Sequence, residues 1–289
     1  HLLTMRSTRT LQALALLLAL PFAACDKVEQ PYETVQDGGG SGGGGVVRKV
    51  LLEDMTGHRC NNCPAAAAQA TALQGIHGEN LVVIAVHCVN GFAAPLPPVG
   101  DGILDSDHRT PEGTAYESAF GITFLPTGLI SRRPFNSVLQ ISDGDWGDAV
   151  NAIIGDSTAF HLWFDALAVG GGSVSTTVKL ALLGPVTGDH NLVVALTEDH
   201  IIDWQIDVNA TPPEVPDYEH RHMLRGNLNG TWGVPAIVGS AAAGDTLTFT
   251  YSNPLPASVL NPDNCALVAY VYDAATKEVM QVEERKFQP

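Results

Sequence analysis

The stretch Val50-Leu51-Leu52-Glu53-Asp54-Met55-Thr56-Gly57-His58-Arg59-Cys60-Asn61-Asn62-Cys63-Pro64-Ala65 decides the fold. Residues 46–52 are β-branched and Leu-rich, which predicts a buried strand. Residues 65–74 are Ala-rich with Gln and Leu, all strong helix formers. Pro64 suits the first turn of that helix, where a missing N–H costs no internal bond. Residues 81–86 are a second continuous apolar run. The order strand, helix, strand predicts a βαβ unit, whose parallel strands need a right-handed crossover.

That order sets a C-x-x-C at the start of a helix. The thiolate is the reactive form of cysteine, and the partial positive charge at a helix N-terminus stabilises it. His58 and Arg59 add to the effect. Cys60 is therefore the candidate attacking thiol, and Cys63 the thiol that resolves the mixed disulfide. Two other readings stay open. One is a static disulfide. The other is half of a zinc site, although no second C-x-x-C or H-x-x-x-H follows to complete a tetrahedron.

The segment resembles thioredoxin. Asp54, six residues before Cys60, matches the buried acid that assists proton transfer in that family. The run Phe120-Gly121-Ile122-Thr123-Phe124-Leu125-Pro126-Thr127 resembles the thioredoxin segment with the cis-proline. The resemblance implies that Pro126 is cis and sits against the C-x-x-C. It also implies a strand through Leu129 and Ile130 and a closing helix over residues 145–154. Arg59 replaces the usual Trp, and Asn61-Asn62 replaces Gly-Pro. Residues 88–113 read as a Pro- and Gly-rich insertion whose Asp101, Asp105, Asp107 and His108 form a solvated acidic loop.

From about residue 157 the texture changes. Residues 160–169, 173–183, 192–197, 246–251, 266–272 and 279–284 read as strands separated by Gly, Pro, Asn or Asp turns. Such spacing predicts an antiparallel, immunoglobulin-like sandwich. His220 and His222 lie two apart and face one way if that segment is a strand; a surface strand is expected rather than a metal pair. Asn227-Leu228-Asn229-Gly230-Thr231-Trp232-Gly233 is turn chemistry beside an aromatic, suited to packing the two halves together.

The N-terminus reads as a targeting segment. Arg6 and Arg9 precede an uncharged run over residues 11–20, too short to span a bilayer, which needs about 20 apolar residues. Leu20-Pro21-Phe22-Ala23-Ala24-Cys25 resembles a lipobox, which predicts a signal peptide over residues 1–24 and lipidation of Cys25. Plain secretion with cleavage after a small residue is the alternative. The Gly-rich run ending at Gly45 is a flexible tether for the folded body. The expected organisation is thus signal peptide 1–24, lipidated tether 25–45, α/β thioredoxin-like domain 46–156 and all-β sandwich 157–289.

Length and composition agree with two domains. The chain has 289 residues, of which 45% are hydrophobic and 16% charged, enough to bury a core. A net charge of −16 repels phosphate backbones, so nucleic acid is not an expected partner. No cofactor and no metal site is expected.

Lipobox, thioredoxin-like unit and sandwich together resemble the twenty-eight-kilodalton outer membrane protein family of Gram-negative lipoproteins. The residues that carry this are 50–65, quoted above, and Leu224-Arg225-Gly226-Asn227-Leu228-Asn229-Gly230-Thr231-Trp232-Gly233. The resemblance implies a cell-envelope location, at the outer membrane, with membrane attachment through the N-terminal lipid. Two functions stand side by side. One is thiol–disulfide exchange on envelope proteins, carried by Cys60, Cys63, Asp54 and Pro126. The other is a surface-binding or adhesin lipoprotein in which the cysteine pair is structural. The two remaining cysteines, Cys88 and Cys265, are expected to be reduced and shielded beside buried strands.

Overall fold

A computed structural model describes residues 45–288 except Pro98. The expected signal peptide, the expected lipidation site Cys25 and the expected tether before Gly45 lie outside the described residues. Residues Gly45–Pro289 make one compact unit.

The βαβ unit is present. Strand β1 (Val50–Thr56) and strand β2 (Leu81–His87) pair in parallel, joined by helix α1 (Cys63–His77). Strand β1 starts four residues later than the apolar run and extends through Glu53 and Asp54, polar residues that sequence texture places at a strand's end. Two short helices follow, α2 (Asn90–Ala93) and α3 (Pro111–Phe120). The second replaces the end of the expected loop. Its signal is local: Thr110 accepts from the Gly113 N–H at 3.0 Å as N-cap, Pro111 opens the first turn and Gly121 closes the helix at φ 64°. Strand β3 (Thr127–Ile130) runs antiparallel to β1, and helix α4 (Trp146–Asn151) closes this half.

The remainder is strands: β4 (Phe160–Gly170), β5 (Ser173–Leu182), β6 (Val186–Thr187), β7 (His190–Glu198), β8 (Ile201–Ile206), β9 (Glu214–His220), β10 (Met223–Asn227), β11 (Val234–Ile237), β12 (Ser240–Ala241), β13 (Thr246–Pro254), β14 (Cys265–Asp273) and β15 (Val279–Lys286). They do not form a separate sandwich. The largest sheet has the order β15-β14-β7-β10-β2-β1-β3, with β11 also paired to β7, so it crosses residue 156. Strand β10 makes the join, parallel to β2 at Met223↔Ala85 and antiparallel to β7. The expected sandwich survives in a coarser form: the three-stranded sheet β13-β5-β4 packs against one face of the large sheet.

Side-chain alternation sorts the cores. Val50 and Leu52 point towards Ala66, Ala70 and Leu73 of α1 and Trp146 of α4. Small residues on α1 let the helix lie close to the sheet. Leu51 and Met55 point the other way, into a core shared with Tyr116 of α3, Val193, Val268 and Tyr270. The large sheet curls around that shared core until its ends meet. The Val279 N–H donates to Ser131 O at 2.8 Å, just past β3, and Lys49 Nζ pairs with Glu283 of β15 at 2.8 Å.

Glu53 shares this inner face and is fully buried, which requires a partner. Arg132 supplies a bidentate one: Nε donates to Oε2 at 2.7 Å and Nη2 to Oε1 at 2.6 Å. The Arg132 guanidinium also lies 5.0–5.9 Å from the ring centres of Tyr116, Phe120, Trp232, Tyr270 and Tyr272. Trp232, from the Asn227–Gly233 turn, thus helps join the two halves as its sequence suggests.

Candidate functional site

Cys60 and Cys63 form a disulfide at the start of α1, with Cα atoms 5.4 Å apart. The tight turn before it needs Gly57: a Cβ there would approach Phe92 O to 2.5 Å. Both members of the pair are buried. Cys60 is 1% and Cys63 2% exposed. The cover is a hairpin made by β8 and β9, two strands that the sequence reading does not contain as a pair. Ile206 N–H donates to His58 O and Val208 N–H to Asn61 O, both at 2.9 Å. Between them Gln205 Nε2 donates to Cys60 O at 2.9 Å and to Ile206 O at 2.8 Å. Alternate residues of the hairpin therefore bond the dithiol loop as an added extended strand would.

A cavity of about 350 Å³ opens beside the pair, lined by Asp54, Cys63, His87, Gln205, Tyr218 and His220 among others. Asp54 and Cys63 thus share one space. Burial, aided by the charge of Asp143, raises the Asp54 pKa to about 7, and its Oδ1 has no hydrogen-bond partner. Pro126 follows a cis Leu125–Pro126 bond directly before β3 and is half-buried. It is not among the residues that line the cavity; Gln205 and the segment after it, rather than Pro126, bond the dithiol loop.

Four histidines gather behind the loop. His58, His87, His108 and His220 are all buried. His220 ends β9, while His222 lies beyond the strand at φ 53°, so the two are not alternate residues of one strand. Burial first, and repulsion among the rings second, lowers His58 to about 4, His220 to about 3 and His87 well below the usual histidine range. Neither ring nitrogen of His87 has a hydrogen-bond partner, while the Leu104 backbone bears on His58. A buried polar atom left unpaired costs about 1–3 kcal/mol. The insertion brings His108 into this cluster and leaves Asp101 exposed; its Asp105 instead accepts from Gly100 and Gly102 N–H at 2.8 Å. As the side chains stand, no three His, Cys, Asp or Glu among the described residues are arranged as a metal site.

Cys88 and Cys265 are buried and unpaired, and burial pushes both thiols up to about 12. No helix of the described residues is long and apolar enough to cross a membrane.

A β-rich protein with a disulfide sealed at a helix start is the class these features define. Residues 113–289, more than half of the chain, match the family Outer membrane protein Omp28, and the chain belongs to that family. Membership places it at the outer membrane of the cell envelope. Among solved structures, HBP35 of Porphyromonas gingivalis is similar over 84% of this chain and 76% of its own, at 15% identity and a TM-score of 0.63, which shows a shared fold. A domain of the outer membrane lipoprotein Omp28 from Porphyromonas gingivalis is 25% identical over 46% of this chain and 90% of its own, with a TM-score of 0.30. No curated protein matches the sequence.

Proposed function

We propose that this envelope protein, anchored through a lipid on Cys25, exchanges disulfides with envelope proteins at a thioredoxin-like Cys60–Cys63 site. One observation carries the reading: the disulfide opens α1 beside a cavity shared with Asp54, an acid poised near neutrality. In the oxidising direction a substrate thiolate attacks Cys60 Sγ. The Cys60–Cys63 bond breaks, Cys63 leaves as thiolate, and protonated Asp54 is suited to give it a proton. A second substrate thiolate then attacks the substrate sulfur of the mixed disulfide and releases Cys60. The substrate leaves oxidised and the protein reduced; the reverse sequence reduces a substrate.

The burial of both sulfurs favours a second reading, in which the pair is a static brace for a binding lipoprotein. Trapping separates the two. With exchange, Cys63→Ser accumulates mixed disulfides with envelope proteins and Cys60→Ser does not. Absence of adducts from both variants, with a wild-type disulfide that resists glutathione, leaves the brace.

A further inference from the structure

The histidine cluster takes no part in the exchange just described. Its members come from four segments: His58 precedes Cys60, His87 ends β2, His108 lies in the insertion and His220 ends β9. Four imidazoles gathered away from solvent, with the His87 ring wholly unpaired, are at odds with the rule that buried polar groups find partners. We propose that His58, His87, His108 and His220 form a binding site for a divalent cation that prefers nitrogen ligands, Zn²⁺ foremost.

The spacing supports this. Imidazole nitrogens bind zinc at about 2.0–2.1 Å, so two rings on a tetrahedral ion have centres about 5.2 Å apart. The observed separations are 5.2 Å for His87–His108, 5.5 Å for His87–His220, 5.5 Å for His108–His220 and 5.7 Å for His58–His108. His58–His87, at 6.5 Å, is the wide pair and must close. Most of the rings meet edge-on or tilted, as ligands around one ion do. The donors do not converge as they stand. Because four of the ring-centre separations are already within about half an ångström of that spacing, side-chain rotation is asked to supply most of the rest.

The surroundings assign the nitrogens. His108 Nε2 lies 2.9 Å from Asp203 Oδ2, which leaves Nδ1 for the ion and makes Asp203 the carboxylate that orients the ring. His220 Nε2 faces Trp204 O at 3.4 Å, which again leaves Nδ1. Either nitrogen of His87 is free, and His58, with the Leu104 backbone on one side, keeps one nitrogen for the ion. Imidazole donors suit zinc, copper and nickel rather than calcium or magnesium. Asp203 brings negative charge next to the site. Of the nearby cations, Arg225 is already paired to Glu198 at 2.8 Å.

The experiment uses the full chain in detergent, stripped with chelator and with Cys60–Cys63 kept oxidised. Zn²⁺ is titrated by calorimetry, and Co²⁺ is followed by visible absorption. One equivalent should bind, with Co²⁺ bands of tetrahedral intensity. His108→Ala and His220→Gln should each weaken binding by about 100-fold or more, and Asp203→Asn by about 10-fold. His108→Ala changes an insertion residue, and circular dichroism checks its fold. No stoichiometric binding, or binding unchanged in both histidine variants, overturns the proposal. So does binding that appears only on reduction and survives those variants, since the cysteines would then hold the ion. The oxidised protein has no free thiol at the pair, so failure of disulfide exchange leaves this test intact.

Discussion

Asp54 shows what one buried carboxyl does to the whole chain. Its folded-state pKa, raised by burial first and Asp143 second, is about 7 against a usual value of 3.8. Between these limits the native state keeps a proton that the unfolded chain has released. Stability from this residue therefore falls as pH rises through that window and levels off above it. Asp54→Asn removes the loss. Urea denaturation should show the variant about 2–4 kcal/mol more stable than wild type at pH 8, with little difference at pH 4. An equal gain at both values would mean that ionisation is not the cause. Asp54, Cys60 and Cys63 were legible in sequence because their relation is local, set by one strand and one helix start. The histidine cluster was not: its members become neighbours only when β2, the insertion and β9 converge, and no spacing in the chain encodes that.

At the scale of elements, the β8–β9 hairpin controls access to the disulfide. Among the described residues its two strands pair only with each other, and β9 has mostly exposed or half-buried residues until His220. Pro216 and the charges around it conceal the strand from any reading by hydrophobic alternation. The hairpin's hold on the dithiol loop depends on Gln205, whose side-chain amide reaches Cys60 O and Ile206 O from a buried position. Gln205→Ala removes the bond to Cys60 O and leaves that carbonyl only the Cys63 N–H at 3.3 Å, a loss of about 1–2 kcal/mol. If reduction waits on hairpin opening, dithiothreitol should reduce Cys60–Cys63 about 5–30-fold faster in the variant, read by alkylation of quenched samples. An unchanged rate would show that reductant enters through the cavity instead. Helix α3 offers the contrasting case. Its Thr110-Pro111-Glu112 start is plain in the sequence, but the surrounding Gly, Pro and Asp residues pull the reading towards loop.

For the whole molecule, sheet closure outweighs the change of texture at residue 157. Composition separates an α/β half from a β half, yet short β10 sits between β2 and β7 and fuses them into one sheet. Its five residues carry too little pattern to announce a join, and the ladder they complete depends on strands far apart in the chain. The buried Glu53–Arg132 pair then ties β1 to the end of β3, and Arg132 Nη2 reaches Tyr270 Oη of β14 at 3.1 Å, across the same core. Tyr270 Oη in turn lies 3.2 Å from Tyr116 Oη of α3. Glu53→Gln keeps the shape but leaves the guanidinium without its counter-charge, which should cost about 3–5 kcal/mol. Replacing both partners with apolar residues should cost much less, because no lone charge remains buried. Both halves contribute to this network, so the loss should not be confined to one of them. Calorimetry should show a single unfolding transition for wild type, and Glu53→Gln should move it down as one peak. Two transitions, with only the earlier one shifted by Glu53→Gln, would mean that the halves fold independently and that β10 merely rests between them.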